Sequence, residues 1–317
     1  MKKHRLLIIL GILLFVLGAC GSADDEDEAG NDAADEQPET VTVEHELGTT
    51  ELEKNPEKVV VFDFGVLDSL DELGINVAGV PQSNLPSYLD KYEGDEYENV
   101  GGLKEPDFEK IAEIDPDLII ISGRQSDLYD QFTEITDNTI YLGVDATRYM
   151  DSFEENMHVL GEIFNKESEV DKELADIEDS IDTIHEKASD SGKEGLIILA
   201  NDDKISAYGS SSRFGLIHDV FGVKASDENI EVSTHGKNVS FEYVKEQNPD
   251  LLYVIDRSAA IGEESAAEQI VENKLVESTN AYKNDDIIYL NPDVWYLSGG
   301  GLISVKEMLN EIDESIE

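Results

Sequence analysis

Cysteine is almost absent: the chain has one in 317 residues, Cys20. That excludes disulfides and thiolate metal sites, and any cysteine nucleophile further along the chain. Basic residues are also few. Lys and Arg number 23 against 72 Asp and Glu, a formal net charge of -49. So acidic a chain lacks the positive surface that nucleic-acid phosphates require, and it is repelled by anionic membrane surfaces. Arginine is scarcer still: beyond Arg5 there are only Arg124, Arg148, Arg213 and Arg257. The longest apolar run, Leu6 to Leu17, falls short of the roughly 20 residues of a membrane span. There is no Gly-x-Ser-x-Gly elbow, no zinc-ligand spacing and no P-loop lysine beside the glycine run Gly299-Gly300-Gly301. His45, His158, His185 and His218 are scattered without ligand spacing, and His218 in an apolar stretch reads as core. None of these patterns points to a catalytic centre or a resident cofactor.

The N-terminus carries a clear pattern. Lys2, Lys3 and Arg5 precede the apolar run, which closes on Leu17-Gly18-Ala19-Cys20. Residues 1–19 are expected to be a signal peptide. Cys20 stands where a bacterial lipobox places the lipidated first residue of the mature protein, so a palmitate-bearing lipoprotein is expected. Residues 20–40 are small and acidic, too polar to bury a core, and read as a solvated tether. The acidic residues are spread along the whole chain, as in a solvated surface suited to a salty medium.

Short apolar runs alternate with helical patterns on both sides of a long amphipathic stretch. Val59 to Phe62, Val77 to Val80, Leu118 to Ile121 and Thr139 to Leu142 read as strands, with a helix at Leu67 to Leu73. The second half repeats the pattern, with strands at Leu196 to Ala200, Leu251 to Ile255 and Ile287 to Leu290. Its helices are expected at Phe214 to Phe221, Ala266 to Val276 and Val305 to Ile312. Between the halves, Val170, Leu174, Ile177, Ile181, Ile184 and Ala188 form one apolar stripe on a helix of about 30 Å. The expected fold is α/β: two Rossmann-like lobes, residues 41–165 and 191–317, joined by one long rigid helix over 166–190, with a ligand cleft between the lobes.

An internal repeat supports this division. Asp107-Phe-Glu-Lys-Ile-Ala-Glu-Ile-Asp-Pro-Asp-Leu leads to Arg124, and Ser240-Phe-Glu-Tyr-Val-Lys-Glu-Gln-Asn-Pro-Asp-Leu leads to Arg257, each matched pair offset by 133 residues. Each copy reads as an N-cap (Asp107, Ser240), a short helix, an Asp-Pro or Asn-Pro turn and a strand with an arginine at its carboxyl end. Ligands of open α/β sheets bind beyond those ends, so Arg124 and Arg257 approach one cleft from opposite lobes. Arg213 sits in the loop Gly209-Ser-Ser-Ser-Arg213-Phe-Gly, which also follows a strand. Guanidinium suits planar oxygen anions and stacks on aromatic rings; ordinary salt bridges are the plain alternative. Trp295, the one tryptophan, and Tyr296 lie in an irregular segment before the final helix and suit a ligand wall or a core plug.

The lipobox, the two lobes and the stretches Ile121-Ser-Gly-Arg124-Gln, Ser212-Arg213-Phe-Gly-Leu-Ile-His-Asp, Val254-Ile-Asp-Arg257 and Trp295-Tyr296-Leu-Ser-Gly-Gly-Gly resemble the helical-backbone (class III) substrate-binding lipoproteins of ABC importers. Within that class they resemble the petrobactin and catecholate siderophore binders. The resemblance implies that Arg124, Arg213 and Arg257 hold an anionic ferric siderophore. It also implies that His235 and Tyr296 complete the coordination of iron when the siderophore leaves sites open, and that Glu109 and Glu242 dock on a permease in the cytoplasmic membrane. A monomer on the extracellular face, touching the membrane only through the Cys20 lipid, is implied as well. In some relatives a lysine follows the first arginine by three residues; Asp127 holds that position here. The alternatives are the same class binding a hydroxamate siderophore, haem or cobalamin, a secreted α/β enzyme, and a sensor or adhesin.

Overall fold

The computed structural model describes residues 39–264 and 267–316. The expected signal peptide, Cys20 and nearly all of the expected tether lie outside the described residues. Thr40, assigned to the tether, is already the first residue of strand β1 (Thr40–His45), which pairs antiparallel with β2 (Gly48–Glu53). This hairpin was not anticipated, because its Thr and Glu residues mask an alternation in which Val41, Val43, Thr50 and Leu52 are buried. The Thr50 hydroxyl donates to the Thr139 carbonyl and ties the hairpin to the neighbouring sheet.

The first half is a parallel sheet of β3 (Val59–Val61), β4 (Gly79–Val80), β5 (Glu98–Asn99), β6 (Leu118–Ile121) and β7 (Thr139–Tyr141), in the order β5-β4-β3-β6-β7. Parallel strands covered on both faces read as unbroken apolar runs, and Leu118 to Ile121 are all 0% exposed. The second half contains β8 (Glu194–Asn201), β9 (Lys204–Tyr208), β10 (Lys224–Ala225), β11 (Lys237–Val239), β12 (Leu251–Asp256) and β13 (Ile287–Leu290). Its path is β11-β9-β8-β12-β13, with β8, β12 and β13 parallel, β9 and β11 antiparallel at one edge, and β10 beside β8. Strand residues alternate between two cores. Val59, Val61 and Ile120 of one sheet and Ile197, Tyr253 and Ile255 of the other share one continuous cluster, while Ile119 and Ile198 face separate outer clusters.

The first helix, Phe64–Glu72, begins three residues before the expected start because Asp63 caps it, accepting from Gly65 N and Val66 N. The helix expected over 266–276 is instead a short helix, Ala267–Val271, followed by a 3₁₀ turn, Val276–Ser278. The Asn273 side chain breaks the run by accepting from Leu275 N and Val276 N. The helix expected over 214–221 shrinks to Leu216–Asp219.

The connecting helix spans Glu167–Ser191, 25 residues, and stops at Gly192 in the left-handed region. It buries Val170, Ile177, Ile184 and Ala188, with Leu174 and Ile181 half-buried, and packs on the helix Tyr149–Phe164 and on the final helix, Leu302–Ile316. That final helix is not confined to the second half. It begins against the first helix, where Leu302 N donates to Ser69 Oγ, and ends under β12, where Ser315 Oγ meets Tyr253 Oη. Gly301 permits this approach: a Cβ there would lie 1.9 Å from Asp68 Oδ1 and 2.1 Å from the Gly65 carbonyl. The glycine run therefore serves helix packing.

Candidate functional site

The repeat places its two arginines as its symmetry requires. The helices Phe108–Ile114 and Phe241–Gln247 have equal length and end on left-handed Asp115 and Asn248. β6 and β12 follow, and Arg124 and Arg257 stand past their carboxyl ends. The Asp107 side chain accepts from Lys110 N as expected. Ser240 occupies the matching cap position, but its side chain makes no capping bond; the pKa of the Glu242 carboxyl is lowered chiefly by its own backbone N–H, with Ser240 adding to it.

Each arginine is set by its local chain. Arg124 precedes Gln125, a fully buried amide that donates to the Leu103 carbonyl and accepts from Ser122 N. Arg213 lies in a tight loop in which a Cβ on Gly215 would lie 2.8 Å from Ser211 N, so glycine is needed there. Arg257 opens the helix Arg257–Ala260, capped by Asp256.

The three guanidinium groups meet at one residue. Arg124 Nη2 donates to the Tyr296 carbonyl at 2.8 Å and Nη1 to the Leu297 carbonyl at 3.3 Å. Arg213 Nη2 donates to the same Tyr296 carbonyl at 2.7 Å, and its guanidinium carbon lies 4.2 Å from the Tyr296 ring centroid. Arg257 Nε donates to the Tyr296 hydroxyl at 3.2 Å and Nη1 to Asn201 Oδ1 at 3.0 Å. Tyr296 sits on a π-helical turn, Asp293–Ser298, a rare form concentrated at functional sites.

The acceptors of all three arginines are neutral: carbonyls, an amide and a phenol. Among the described residues none of the three forms an ion pair, whereas Arg148 pairs with Asp145 and Glu155. The plain salt-bridge explanation holds for Arg148 alone. One carboxylate does face the cluster. Asp63, at the end of β3, has its pKa raised by burial, an effect offset in part by the Ser122 hydrogen bond and the Arg124 charge. Burial also raises the Tyr296 phenol, but Arg213 and Arg257 outweigh it and leave the pKa below that of ordinary tyrosine.

These groups open onto a cavity of about 810 Å³ whose wall includes Arg124, Arg213, Tyr296, His235, Tyr141 and Tyr149. His235 is on the exposed loop facing it. Arg257 is not among the residues that line the wall; it meets Tyr296 at the hydroxyl. Trp295 only skirts the cavity: it is 3% exposed, and its indole N–H donates to Glu311 Oε2 at 2.5 Å. It is chiefly a core plug, turned inward by that bond. Glu109 and Glu242 lie apart from the cavity, exposed on the first turns of the repeat helices, and Asp127 is exposed too. Asp63, Tyr141 and Asn201 were not foreseen, although all three stand at carboxyl ends of strands, the signal that found Arg124.

Comparison with known proteins bears on the fold as a whole. The periplasmic binding protein family matches residues 59–294. The petrobactin-binding protein YclQ of Bacillus subtilis (strain 168) is 52% identical over 321 residues, covering 100% of both chains. Its crystal structure has a TM-score of 0.86 and 54% identity, covering 88% of this chain and 99% of that one. The crystal structure of the periplasmic catecholate-siderophore binding protein VctP from Vibrio cholerae has a TM-score of 0.82 and 35% identity, covering 87% of this chain and 100% of that one. The two-lobed α/β fold is that of the helical-backbone class, and with the match spanning most of its length this chain belongs to the periplasmic binding protein family.

Proposed function

We propose that this chain captures an anionic ferric siderophore of the petrobactin or catecholate type and delivers it to an ABC importer. The observation that carries the reading is the meeting of Arg124, Arg213 and Arg257 at Tyr296 beside an open cavity, with no ion pair to any described carboxylate. In so acidic a protein, cations left on neutral acceptors are matched to a negative ligand from outside. A ferric catecholate is such a ligand, multiply charged and built of flat rings. Two relatives named for petrobactin and catecholate-siderophore binding share the fold at 54% and 35% identity.

Binding, not catalysis, is the role. Arg124 and Arg213 neutralise the chelate. Tyr141 and Tyr149 wall it in, and Arg257 acts through the Tyr296 hydroxyl. The lowered phenol favours a phenolate, and a phenolate with the His235 imidazole can bind iron(III) where the siderophore leaves positions open. Glu109 and Glu242 present one exposed carboxylate per lobe to the permease. A lipid on Cys20 holds the protein at the outer face of the cytoplasmic membrane, with residues 20–40 as tether.

The test is fluorescence of Trp295, the one tryptophan, in a soluble chain starting after Cys20. Ferric petrobactin, a ferric tris-catecholate, a ferric hydroxamate, haem and cobalamin are titrated in turn. Quenching by the catecholates, lost in Arg124→Ala/Arg213→Ala/Arg257→Ala, is the expected result. A response to hydroxamate, haem or cobalamin alone overturns the ligand assignment.

A further inference from the structure

The π-helical turn that carries Tyr296 is gripped at both ends by two consecutive residues of the first half. Ser87 donates to Asp293 Oδ2 through its backbone N–H at 2.8 Å and its hydroxyl at 2.5 Å. Tyr88 donates its hydroxyl to Ser298 Oγ at 2.6 Å, and Ser298 donates to the Asp293 carbonyl at 3.0 Å. Asp293 and Ser298 are the first and last residues of the turn. A widened turn is less well bonded than an α-helix and persists where its surroundings hold it. Here the holding comes from Ser87 and Tyr88, neither of which lines the cavity.

The grip is itself anchored. The Tyr88 hydroxyl lies 3.0 Å from Asp68 Oδ2. Asp68 is fully buried and caps the final helix, accepting from Ile303 N at 3.2 Å and Ser304 N at 3.1 Å. Asp68, Tyr88, Ser298 and Asp293 thus form one chain of hydrogen bonds from the first helix to the turn. On the other side Glu311 accepts from Trp295 and from Asn291 N. Between these fixed points the Tyr296 carbonyl faces Arg124 and Arg213, and its hydroxyl faces Arg257.

We propose that Ser87 and Tyr88 are positioning residues: they hold the Asp293–Ser298 turn so that the Tyr296 hydroxyl meets the iron of the bound chelate. This rests on the reading of Tyr296 as an iron ligand, and the experiment separates the two. Tyr88→Phe keeps the ring and removes the hydroxyl. Asp293→Ala removes the acceptor of Ser87. Tyr296→Phe is the reference. Each variant is titrated with a ferric bis-catecholate that leaves two coordination positions open and with a ferric tris-catecholate that fills all six, following affinity and the visible absorption band. Tyr88→Phe and Asp293→Ala are each expected to weaken the open chelate about tenfold and to shift its band, as Tyr296→Phe does, while the closed chelate stays within about twofold. A general loosening of the fold would weaken both chelates alike, and that result overturns the positioning role. Selective loss in Tyr296→Phe alone also overturns the role but leaves the iron contact standing. No selective loss in any of the three overturns both.

Discussion

At the scale of single residues, the deciding contrast is between Arg148 and the other three arginines. Arg148 finds Asp145 and Glu155, as any cation in so acidic a chain is expected to. Replacing Arg124 or Arg213 by Ala is expected to weaken the anionic chelate about tenfold to a hundredfold, since each removes a charge-assisted contact. Arg148→Ala is expected to leave affinity within about twofold; titration of the three variants checks this. Asp63 gives the opposite sign. Asn is as good a helix cap as Asp, so Asp63→Asn keeps the first helix while removing the carboxylate that faces Arg124. Its affinity for an anionic chelate is expected to rise about threefold. The arginines were legible because scarcity and the repeat marked them. Asp63 was hidden among so many acids, and the inward turn of Trp295 depends on Glu311, a partner that sequence separation conceals.

At the scale of elements, the joint between the first and final helices has a consequence for pH. Burial raises the Asp68 carboxyl from 3.8 to about 7, against the hydrogen bonds from Ser304 and Ile303 N that lower it. Between those two values the native state holds a proton that the unfolded chain has released. Stability from this site is therefore full below about pH 4 and declines as pH rises toward 7. Tyr88, Tyr92 and Tyr149, which face Asp68, are pushed upward by burial and stay neutral throughout that window. Asp68→Asn is expected to lose less stability than the parent between pH 5 and 8, and parallel melting curves at the two pH values check it. The connecting helix supplies a second case. Ile177 is 1% exposed, and Ile177→Ala is expected to cost about 2–5 kcal/mol in denaturant unfolding.

Elements with strong apolar period were readable from sequence: the connecting helix and the strands β6 and β13 stand where expected. The hairpin β1–β2 and the antiparallel strands β9 and β11 were not, because polar residues on their exposed faces dilute the pattern. The π-turn has no sequence signature; it depends on Ser87 and Tyr88, distant along the chain, and on Glu311 in the final helix.

At the scale of the molecule, one apolar cluster runs through both halves and the final helix, so the lobes share a core. The net charge of -49 repels itself, and added salt screens it. Melting temperature is therefore expected to rise from low to molar salt. Glu109 and Glu242, exposed and outside the cavity wall, are the residues proposed to dock on the permease. The double variant Glu109→Ala/Glu242→Ala is expected to bind the chelate normally and to fail in uptake by whole cells.

The most direct test of the arginine cleft is the colour of the loaded protein. The soluble chain is mixed with excess ferric tris-catecholate, freed of unbound chelate by gel filtration, and its visible absorbance read against protein concentration. The parent is expected to elute tinted with one chelate per chain, and Arg124→Ala/Arg213→Ala/Arg257→Ala colourless but folded. A colourless parent, or a triple variant that keeps its full tint, would contradict capture by the three arginines.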